Sequence, residues 1–350
     1  MLESLWNRIA DLPLAVESHA VEHLHAPAAA DRTTLLVRLR GPGAEGLGED
    51  VGGTMIDEDG RFVAAAPELA LAGDWTLARF VDQLASLDLW PDPPQWDMAR
   101  RLRNWAFESA ALDLALQQAR IGLAEALGRE TAPVRFVNSL GLGDPPEFEA
   151  VGRRLERYPG LRFKLDAQAT WSPELTARVA DTGAVDVVDF KGRYGLPVED
   201  EPALVAMYEA VLERFDGAIL EDPHDLPEVD ALIEPRAARL SFDAPIAGVH
   251  DVVAAAFGAR IVNVKPSRIG TLRALFDVYA HCDAHGLRMY GGGMGEVGIA
   301  RGQIELLAAL FHPDGPNDVA PSAYNLPALP GGLPESPLLP GPPAPGFRWG

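Results

Sequence analysis

Short β-rich runs alternate with helix-like stretches from about residue 132 of this 350-residue chain. The β-rich runs, each followed by a helix-like stretch, are VRFVNSL, LRFKL, VDVVDF, GAILE, RLSFD, RIVNVK and LRMY. Strands and helices in alternation predict a parallel sheet with helical crossovers. Seven such units, with an eighth candidate strand near NDVAP, favour a (β/α)8 TIM-type barrel over an open sheet.

The first 130 residues have a different pattern. The stretch TTLLVRLRGPGAEGLGEDVGG is typical of two strands with a glycine-rich turn, and LAVESHAVEHL is an earlier candidate strand. Two helical stretches follow, TLARFVDQLASL and MARRLRNWAFESAALDLALQQARIGLAEAL, the second with apolar residues at helical spacing. We therefore predict a capping α+β domain over residues 1–130 and the barrel over residues 131–322.

The remaining segment, residues 323–350, is rich in proline, with eight prolines among its last 25 residues. Proline is excluded from helix interiors and central strands, so we expect an extended strap. The apolar residues Leu338, Leu339, Phe347 and Trp349 argue against a free, disordered segment. We expect the strap to pack on the barrel or on the cap, and in this way to complete the cap.

Charge and cysteine content exclude several classes of protein. A net charge of −21 argues against binding nucleic acid or an anionic membrane, because both are bound through clustered lysine and arginine. The chain has no apolar run of 18 residues that would predict a membrane span, and residues 1–18 lack the pattern of a signal peptide. Its single cysteine, Cys282, allows no intrachain disulfide, so a reducing cytoplasm is the expected location.

Polar residues stand where five consecutive barrel strands are predicted to end. They are Lys164, Asp189, Glu221, Asp243 and Lys265. The steps between them are 25, 32, 22 and 22 residues, each the length of one strand-helix unit. Functional residues of such barrels lie at the carboxyl ends of the strands, so we expect one side chain from each unit at the same mouth.

The three acids of this set, Asp189, Glu221 and Asp243, cannot share a dry site without a compensating ion. Oxygen-only ligands favour a hard divalent metal, so we predict Mg2+, with Mn2+ as an alternative. Any single acid at a strand end is equally well explained as the cap of the next helix. The metal prediction therefore depends on the periodic set and not on one residue.

Lys164 and Lys265 flank the acids in the sequence and are the predicted proton-transfer pair. A lysine acts as a base near neutral pH when burial or neighbouring cations lower its pKa. Arg162, two residues before Lys164 on the same strand face, is predicted to lower the pKa of Lys164 in this way. A metal beside two such bases is suited to removing a proton next to a carboxylate.

This arrangement resembles the enolase superfamily, in the branch of muconate-lactonizing enzymes, mandelate racemase, o-succinylbenzoate synthases and dipeptide epimerases. LGED resembles the Gly-x-Gly-Glu stretch of that family, and FESAALDLALQQARIGLAEALG resembles the helix that precedes its barrel. Lys265 with Gly270 resembles its lysine and glycine after the fifth strand. The resemblance implies a capped TIM-type barrel, an Mg2+ site at Asp189, Glu221 and Asp243, and catalysis by lysine.

Two motifs depart from the family pattern. The Lys-x-Lys motif of the second strand corresponds to Arg162-x-Lys164 or to Lys164-x-Asp166. We adopt the first, because the second would put an acid in the place of the catalytic lysine. The Asp-x-Asn motif of the third strand is replaced by Asp189-x-Lys191. Lys191 is either a solvated lysine or an extra positive charge near the metal that changes the substrate.

The other candidates for contacting substrate or orienting a ligand are Asp222, Gly292, Gly293, Glu296, His25 and Thr54. Asp222 is either an acceptor that orients a ligand or lysine, or a turn residue. Residues 293–298 match Gly-x-Gly-x-x-Gly, but they lie in the seventh unit, where a dinucleotide fingerprint does not belong. Close approach of this loop to a substrate is the better explanation, with the next helix N-terminus open to an anionic group. The resemblance places His25 and Thr54 on loops near the barrel mouth.

The sequence thus predicts an enzyme that removes the α-proton of a small carboxylic acid, giving racemisation or epimerisation, cycloisomerisation or dehydration. Two alternatives remain at this stage. One is a metal-binding barrel that has lost catalysis and acts as a binding protein, and the other is a nucleotide-dependent oxidoreductase. Specificity in such barrels resides in loops, so the sequence names neither the substrate nor the oligomeric state, a homo-oligomer included.

Overall fold

The computed structural model describes residues 4–26, 32–52, 68–90, 92–94 and 96–349. The described elements of the N-terminal part are α1 (Asn7–Ala10), β1 (Pro13–Val16), β2 (Ser18–Ala26), β3 (Arg32–Gly41), β4 (Ala44–Asp50), β5 (Gly73–Thr76), α2 (Leu77–Ala85), α3 (Met98–Ala119) and α4 (Leu123–Leu127). Strands β2, β3 and β4 form an antiparallel sheet, and β1 pairs with β5. The stretch LAVESHAVEHL, predicted as one strand, is divided between β1 and β2.

The long helix α3 packs directly on strand β4. A Cβ atom at Gly46 would lie 2.1 Å from the carbonyl oxygen of Ala110, and one at Gly48 would lie 1.9 Å from that of Ala106. No larger residue fits at either position, so the two glycines of AEGLGED set the distance between sheet and helix. In the part of the chain that the structure describes, no helix, α3 included, is long and apolar enough to span a membrane.

Seven parallel strands form the second sheet, in the order β12-β11-β10-β9-β8-β7-β6. The strands are β6 (Asn138–Gly141), β7 (Phe163–Asp166), β8 (Val185–Asp189), β9 (Ile219–Glu221), β10 (Leu240–Phe242), β11 (Ile261–Val264) and β12 (Arg288–Gly291). The helices between and after them are α5 (Glu149–Arg157), α6 (Pro173–Ala180), α7 (Glu201–Arg214), α8 (Pro227–Ile233), α9 (Val249–Val253), α10 (Pro266–Ile269), α11 (Leu272–His285) and α12 (Ile299–Phe311).

Both edges of this sheet hydrogen-bond to the segment NDVAP. Phe136, just before β6, forms a parallel bridge with Asn317, and Gly292, just after β12, forms one with Asp318. The backbone N–H groups of Val137 and Asp318 donate across these bridges over 2.8 Å and 2.7 Å. The segment predicted as an eighth strand therefore contacts the first and the last strand of the sheet.

An apolar layer fills the interior of the sheet below the strand ends. It is made by Val187, Ile219, Ile261 and Tyr290, all at most 5% exposed. Val187 and Ile219 each stand two residues before an acid that ends the strand, and residues two apart share one face of a strand. Asp189 and Glu221 therefore lie directly above this apolar layer, and their carboxylates are on the carboxyl side of the sheet.

The proline-rich segment after residue 322 contacts both the N-terminal part of the chain and the segment that leads into the parallel sheet. Leu338 exchanges backbone hydrogen bonds with Val134 at the start of the barrel segment. Further on, Phe347 is fully buried, and its ring meets that of Trp105 edge-on at a centroid distance of 6.2 Å. Its backbone N–H donates to the buried carboxylate of Asp113 on α3 over 2.8 Å. The strap is thus held by specific contacts at two separate points.

Replacing Phe347 with alanine should destabilise the protein by about 3–5 kcal/mol, because it removes a fully buried aromatic ring and leaves a cavity beside Trp105. Leu339→Ala is the matched control in the same segment, since Leu339 is 73% exposed and should change the free energy of unfolding by less than about 0.5 kcal/mol. Urea unfolding of both variants measures the difference. Equal stabilities would show that the strap does not contribute to the fold through Phe347.

Candidate active site

The strand ends bring acids and lysines together at one end of the sheet. Lys164 lies in β7, Asp189 and Glu221 end β8 and β9, Asp243 directly follows β10, and Lys265 precedes α10. Each of these side chains is less than 10% exposed. The predicted convergence of one side chain per unit is therefore seen in the structure.

Lys164 lies below the mouth, between two of the acids. Its Nζ atom is 3.1 Å from Oδ2 of Asp189 and also donates to Oε1 of Glu221. Its side chain is only 1% exposed. Burial alone would lower the pKa of Lys164, but Glu221 and Asp189 outweigh it and raise this pKa well above its ordinary value.

Glu221 is held from below as well. Tyr290 donates its hydroxyl to Oε2 of Glu221, and the amide of Asn263 lies 3.3 Å from the same atom. Ser241 shares a 2.7 Å hydrogen bond with the Tyr290 hydroxyl. Burial raises the pKa of the Glu221 carboxyl to about 8, against the opposing charge of Lys164. These contacts fix the carboxylate in one orientation on the apolar floor.

Asp189, Glu221 and Asp222 form the group of carboxylates that can hold a cation, with oxygen atoms within 4.8 Å of one another. Asp243 is not part of this group; its oxygens pair with Nζ of Lys265 at 2.9 Å and with Nη1 of Arg268 at 2.5 Å. An all-oxygen, buried set of this kind fits a hard divalent cation. The donor chemistry of the site is therefore compatible with the predicted metal.

Asp222 also organises the neighbouring strand end. Its two carboxylate oxygens accept the backbone N–H groups of Asp243 and Ala244, at 2.9 Å and 2.8 Å. Its own backbone has a φ of +46°, a left-handed conformation that costs roughly 1–2 kcal/mol in a non-glycine residue. Asp222 was interpreted either as an acceptor or as a turn residue. Its two hydrogen bonds fit the first interpretation, and its left-handed backbone fits the second.

A cavity of about 570 Å³ opens above the acids. The charged side chains at or after the strand ends that line it include Asp166, Lys191, Lys265 and Arg268. Arg32 of the cap and the glycine-rich stretch 293–297 line another side. Lys164 is not among the lining residues, because its ammonium group lies lower, between the acids. With Arg301, which also lines it, the cavity wall carries five cationic side chains beside the buried carboxylates.

Arg162 is not at this site, which corrects the prediction that it lowers the pKa of Lys164. Its guanidinium donates to Asp186 at 3.1 Å and to the carbonyl oxygen of Gly183 at 2.6 Å. It lines a separate cavity with Ile219 and Arg288, the first residues of β9 and β12, and so lies at the amino end of the sheet. The rise from one end of a strand to the other separates it from the mouth.

The interpretation of the second-strand motif changes for the same reason. In β7, Asp166 is the residue that reaches the cavity, and Lys164 stands two residues below it on the same face. The chosen match Arg162-x-Lys164 is therefore wrong, and Lys164-x-Asp166 describes this strand. As a consequence, the predicted pair of Lys164 and Lys265 does not face a common cavity.

Lys191 joins the site from the loop after β8. Its Nζ atom is 3.2 Å from Oδ1 of Asp166 and also donates to Oδ2 of Asp189. Its backbone φ is +54°, and its N–H donates over 3.0 Å to Oδ1 of Asp189. Burial and Lys164 would lower the pKa of Lys191, but Asp189 and Asp166 raise it. Lys191 is thus part of the charged cluster and not a freely solvated lysine.

The rarity of lysine in the sequence indicated that Lys191 belongs to the site, but the motif comparison did not use it. Of the 30 lysine and arginine residues of the chain, only three are lysines: Lys164, Lys191 and Lys265. All three contact a carboxylate of this cluster. Arginine supplies every other basic side chain of this type, and it cannot be deprotonated in proteins. Lysine is therefore used only where the acids meet.

Arg268 and Tyr194 were also missed. Arg268 is fully buried, donates to the Tyr194 hydroxyl over 3.0 Å, and pairs with Asp243. The Tyr194 hydroxyl in turn donates to Asp243 over 3.2 Å. Arg268 lies on the short helix α10, three residues after Lys265, which directly precedes that helix. No pattern in the sequence indicated Tyr194.

The remaining predicted residues are placed as follows. Gly293 and Glu296 line the cavity, and Glu296 accepts a hydrogen bond from the Ser267 hydroxyl at 2.7 Å. Gly292 forms a backbone bridge with Asp318, which also lines the cavity. His25 is exposed on β2, where Nδ1 lies 3.1 Å from the Thr33 hydroxyl, and it is not among the cavity residues. Thr54 is outside the described residues.

Glu49 of the cap anchors the glycine-rich loop. Its buried carboxylate accepts the backbone N–H groups of Val297, Gly298 and Ala300 at the start of α12, at 2.8, 2.9 and 3.2 Å. Burial raises the pKa of this carboxyl, while the N–H donors oppose the rise. The prediction that this helix N-terminus is open to an anionic ligand is wrong, because Glu49 already occupies it. The same contact removes the physical basis for nucleotide binding at residues 293–298.

Comparison with known proteins agrees with this geometry. Two family models match the chain, and both belong to DUF8230, a domain of unknown function. The model of its N-terminal domain matches residues 7–126, and the model of its C-terminal domain matches residues 130–326. An N-succinylamino acid racemase of Amycolatopsis sp is 30% identical over 314 residues, which cover 83% of this chain and 79% of that protein.

Solved structures give the same picture of the fold. The chain matches a muconate cycloisomerase from Pseudomonas fluorescens with a TM-score of 0.67 and 20% identity over 96% of each chain. A dipeptide epimerase from Methylococcus capsulatus, complexed with a Mg ion, matches with a TM-score of 0.63 and 22% identity, covering 90% of this chain and 88% of that one. At such identities the likeness shows a shared fold.

Glu49→Ala should destabilise the protein by on the order of 3 kcal/mol, because three wholly or partly buried backbone N–H groups at the start of α12 would lose their charged acceptor. Thr34→Val is the matched control, since it removes one hydrogen bond of 2.9 Å to the same carboxylate and keeps the shape of the side chain. Urea unfolding compares the two. A loss for Glu49→Ala no larger than that for Thr34→Val would show that the contact with α12 contributes little.

Proposed function

This chain belongs to the DUF8230 family and to the enolase superfamily, in the branch of mandelate racemase and muconate-lactonizing enzymes, and we propose that it is an Mg2+-dependent enzyme acting on a carboxylic acid. It removes the proton next to the substrate carboxylate, which leads to racemisation or epimerisation, cycloisomerisation or dehydration. The observation that carries this function is a buried set of carboxylates at the strand ends, with Lys265 above it on the wall of a 570 Å³ cavity.

We assign the metal ligands to Asp189, Glu221 and Asp243. Mg2+ bound there would stabilise the negative charge that develops on the substrate carboxylate when the proton leaves. Asp222 is close enough to serve, but both of its oxygens accept backbone N–H groups, so we assign it the task of positioning Asp243. Lys164 keeps the buried acids charge-balanced from below.

Lys265 is the proposed base. Its ammonium group lies 2.9 Å from Oδ2 of Asp243 and lines the cavity, so it can reach a bound substrate. To take a proton from the substrate, this lysine acts as the neutral amine. Asn104 of the cap donates over 2.7 Å to the carbonyl oxygen of Gly270 and so holds the segment that follows Lys265. The lysine is therefore presented from a rigid helix start.

The substrate class follows from the relatives and from the cavity wall. N-succinylamino acids, dipeptides and muconate, named for the similar proteins, all carry carboxylate groups. Lys191, Lys265 and Arg268 give the wall of this cavity the matching charge. We also propose that the sheet is a (β/α)8 barrel with residues 317–318 in the eighth strand position, beneath a cap of residues 1–130 and a strap of residues 323–350.

Mg2+ should raise the melting temperature of the protein, since a cation that binds only the native state stabilises it by about 2.7 kcal/mol at 100 times its Kd. Asp189→Asn, Glu221→Gln and Asp243→Asn should each remove most of this rise, and Asp222→Asn should keep a larger part of it. Asp74→Asn, at an exposed position of the cap, is the control. Undiminished Mg2+ shifts in the three ligand variants would refute the assignment, and a complete loss in Asp222→Asn alone would move the third ligand to that residue.

With Mg2+ in D2O, the enzyme should exchange the α-proton of a suitable carboxylic acid, seen as loss of its proton NMR signal. The first substrates to test are each hand of N-succinylphenylalanine and of the dipeptide alanylglutamate, followed by muconate with product analysis. Lys265→Ala should slow the reaction of one hand at least about 100-fold, the lower limit for a positioned acid or base. A full rate in that variant would exclude Lys265 as a base, and no reaction of any substrate with wild-type protein would favour a binding barrel.

A further inference from the structure

We infer that a second cavity, at the carboxyl end of helix α10, binds a small apolar carboxylate, and that binding there acts on Lys265 through this helix. The cavity has a volume of about 240 Å³. It is lined by the end of α2, the segment 87–90, helix α3, and the turn of Gly270 and Thr271, and it shares no lining residue with the catalytic cavity. The binding site goes beyond the proposed function, whereas its action on Lys265 rests on that function.

One wall of the second cavity is apolar. Leu84 is 1% exposed, Leu89 is 7% exposed, and Leu87 is half-buried. The ring of Trp90 completes this wall. A cavity of this volume accommodates a six-membered ring, since an apolar cavity of about 150 Å³ already binds benzene. The wall therefore fits a ligand with a small apolar body.

The indole N–H of Trp90 indicates that the ligand also carries an acceptor. Trp90 is 4% exposed, and its Nε1 atom is buried without a hydrogen-bond partner among the residues that the structure describes. The guanidinium of Arg103 lies 3.5 Å from the centroid of the ring and holds it in place. Buried polar groups in proteins are almost always hydrogen-bonded, and a buried donor without a partner is destabilising. An oxygen atom of a ligand in the cavity would supply the missing acceptor.

Arg101 determines the sign of the charge that the cavity would bind. The charged residues that line it are Asp88, Arg100 and Arg101. Arg100 pairs with Asp88 at 3.9 Å, whereas the Arg101 guanidinium has no ion pair or hydrogen bond within the described part of the chain. Burial lowers the pKa of Arg101 and the charge of Arg268 lowers it further, while nearby acids oppose both effects only in part. A carboxylate can accept both from the indole N–H and from this guanidinium.

The second cavity is connected to Lys265 by one short helix. Helix α10 covers the four residues between Lys265 and Gly270. A Cβ atom at Gly270 would lie 2.6 Å from Cβ of Arg101, and Asn104 donates to the carbonyl oxygen of Gly270 over 2.7 Å. Arg101 and Asn104 both line the cavity. A ligand bound to Arg101 therefore acts on the turn that ends the helix of the proposed base.

Benzoate is the probe for this site, and NMR of protein labelled with 15N-tryptophan is the measurement. Of the seven indole signals, that of Trp90 is identified by its loss in Trp90→Phe. Without Mg2+, benzoate should shift this proton signal downfield with a Kd on the order of 1 mM, because the N–H gains an acceptor. Benzamide and benzylamine, which lack the negative charge, should bind at least about tenfold more weakly. An unmoved Trp90 signal at about 10 mM benzoate, or equal binding of benzamide, would overturn the inference.

Two variants test the role of the positive charge. Arg101→Gln should weaken benzoate binding at least about tenfold, since it removes the charged partner of the carboxylate. Arg79→Gln is the matched control, because it removes the same charge from an exposed position on α2 that does not line the cavity. Indole signals at their wild-type positions show that both variants are folded. A Kd for Arg101→Gln equal to that of wild type, or equal losses in both variants, would refute binding at Arg101.

The action on Lys265 is tested with Mg2+ and N-succinylphenylalanine in D2O. Benzoate at a concentration that saturates the Trp90 shift should change kcat for α-proton exchange at least about twofold in wild type, and should leave kcat unchanged in Arg101→Gln. An unchanged kcat in wild type, or a rise in KM alone that is equal in both proteins, would refute the action through α10. If wild type exchanges no substrate, the proposed function fails and the action on Lys265 fails with it, while the NMR titration still decides whether the binding site exists.

Discussion

The burial of four carboxylates at adjoining strand ends is the constraint on which the rest of the site depends. Asp189, Glu221, Asp222 and Asp243 are each fully buried, and unpaired charges in such a position would cost several kcal/mol each. Hydrogen-bond donors surround these carboxylates and stabilise their charge. Lys164 and Tyr290 donate from below, backbone N–H groups donate to Asp222, and Lys265 and Arg268 pair with Asp243. A site of this kind is an electrostatic unit, and its residues have to be interpreted together.

Much of this arrangement could be predicted from the sequence, because the period of a strand-helix unit is regular. The spacing from Lys164 to Lys265 placed five side chains at one end of the sheet, since each unit contributes one strand end. The period does not indicate how far along its strand, from the amino end to the carboxyl end, a given residue lies. Arg162, Lys164 and Asp166 are two residues apart, so the sequence pattern treats them alike. In the structure Arg162 lies at the amino end of the sheet, Lys164 lies between the acids, and Asp166 lies at the cavity. Depth depends on where each strand begins in the sheet, and that is set by its neighbours.

Contacts between distant parts of the chain could not be predicted from the sequence either. Glu49 was recognised as part of a motif, but its acceptor role at the start of α12 involves residues 248 to 251 positions away. Tyr194 reaches Asp243 from a loop whose course no local pattern describes. The scarcity of lysine, by contrast, was visible from the beginning, because it is a property of composition and needs no knowledge of the fold.

The buried carboxylate of Asp113 has a consequence for the order in which the protein can be assembled. It accepts hydrogen bonds from the backbone of Phe347 and from the guanidinium of Arg348, residues 234 and 235 positions further along the chain. During synthesis the whole barrel segment is made before these partners exist, so α3 reaches its final surroundings only after more than 200 further residues have been added. Joining points so far apart carries a large loop-closure entropy, which a barrel folded in the interval reduces by bringing the strap close to α3. The contacts of Asp113 in the cap are therefore completed only after the residues between it and Phe347 have been translated.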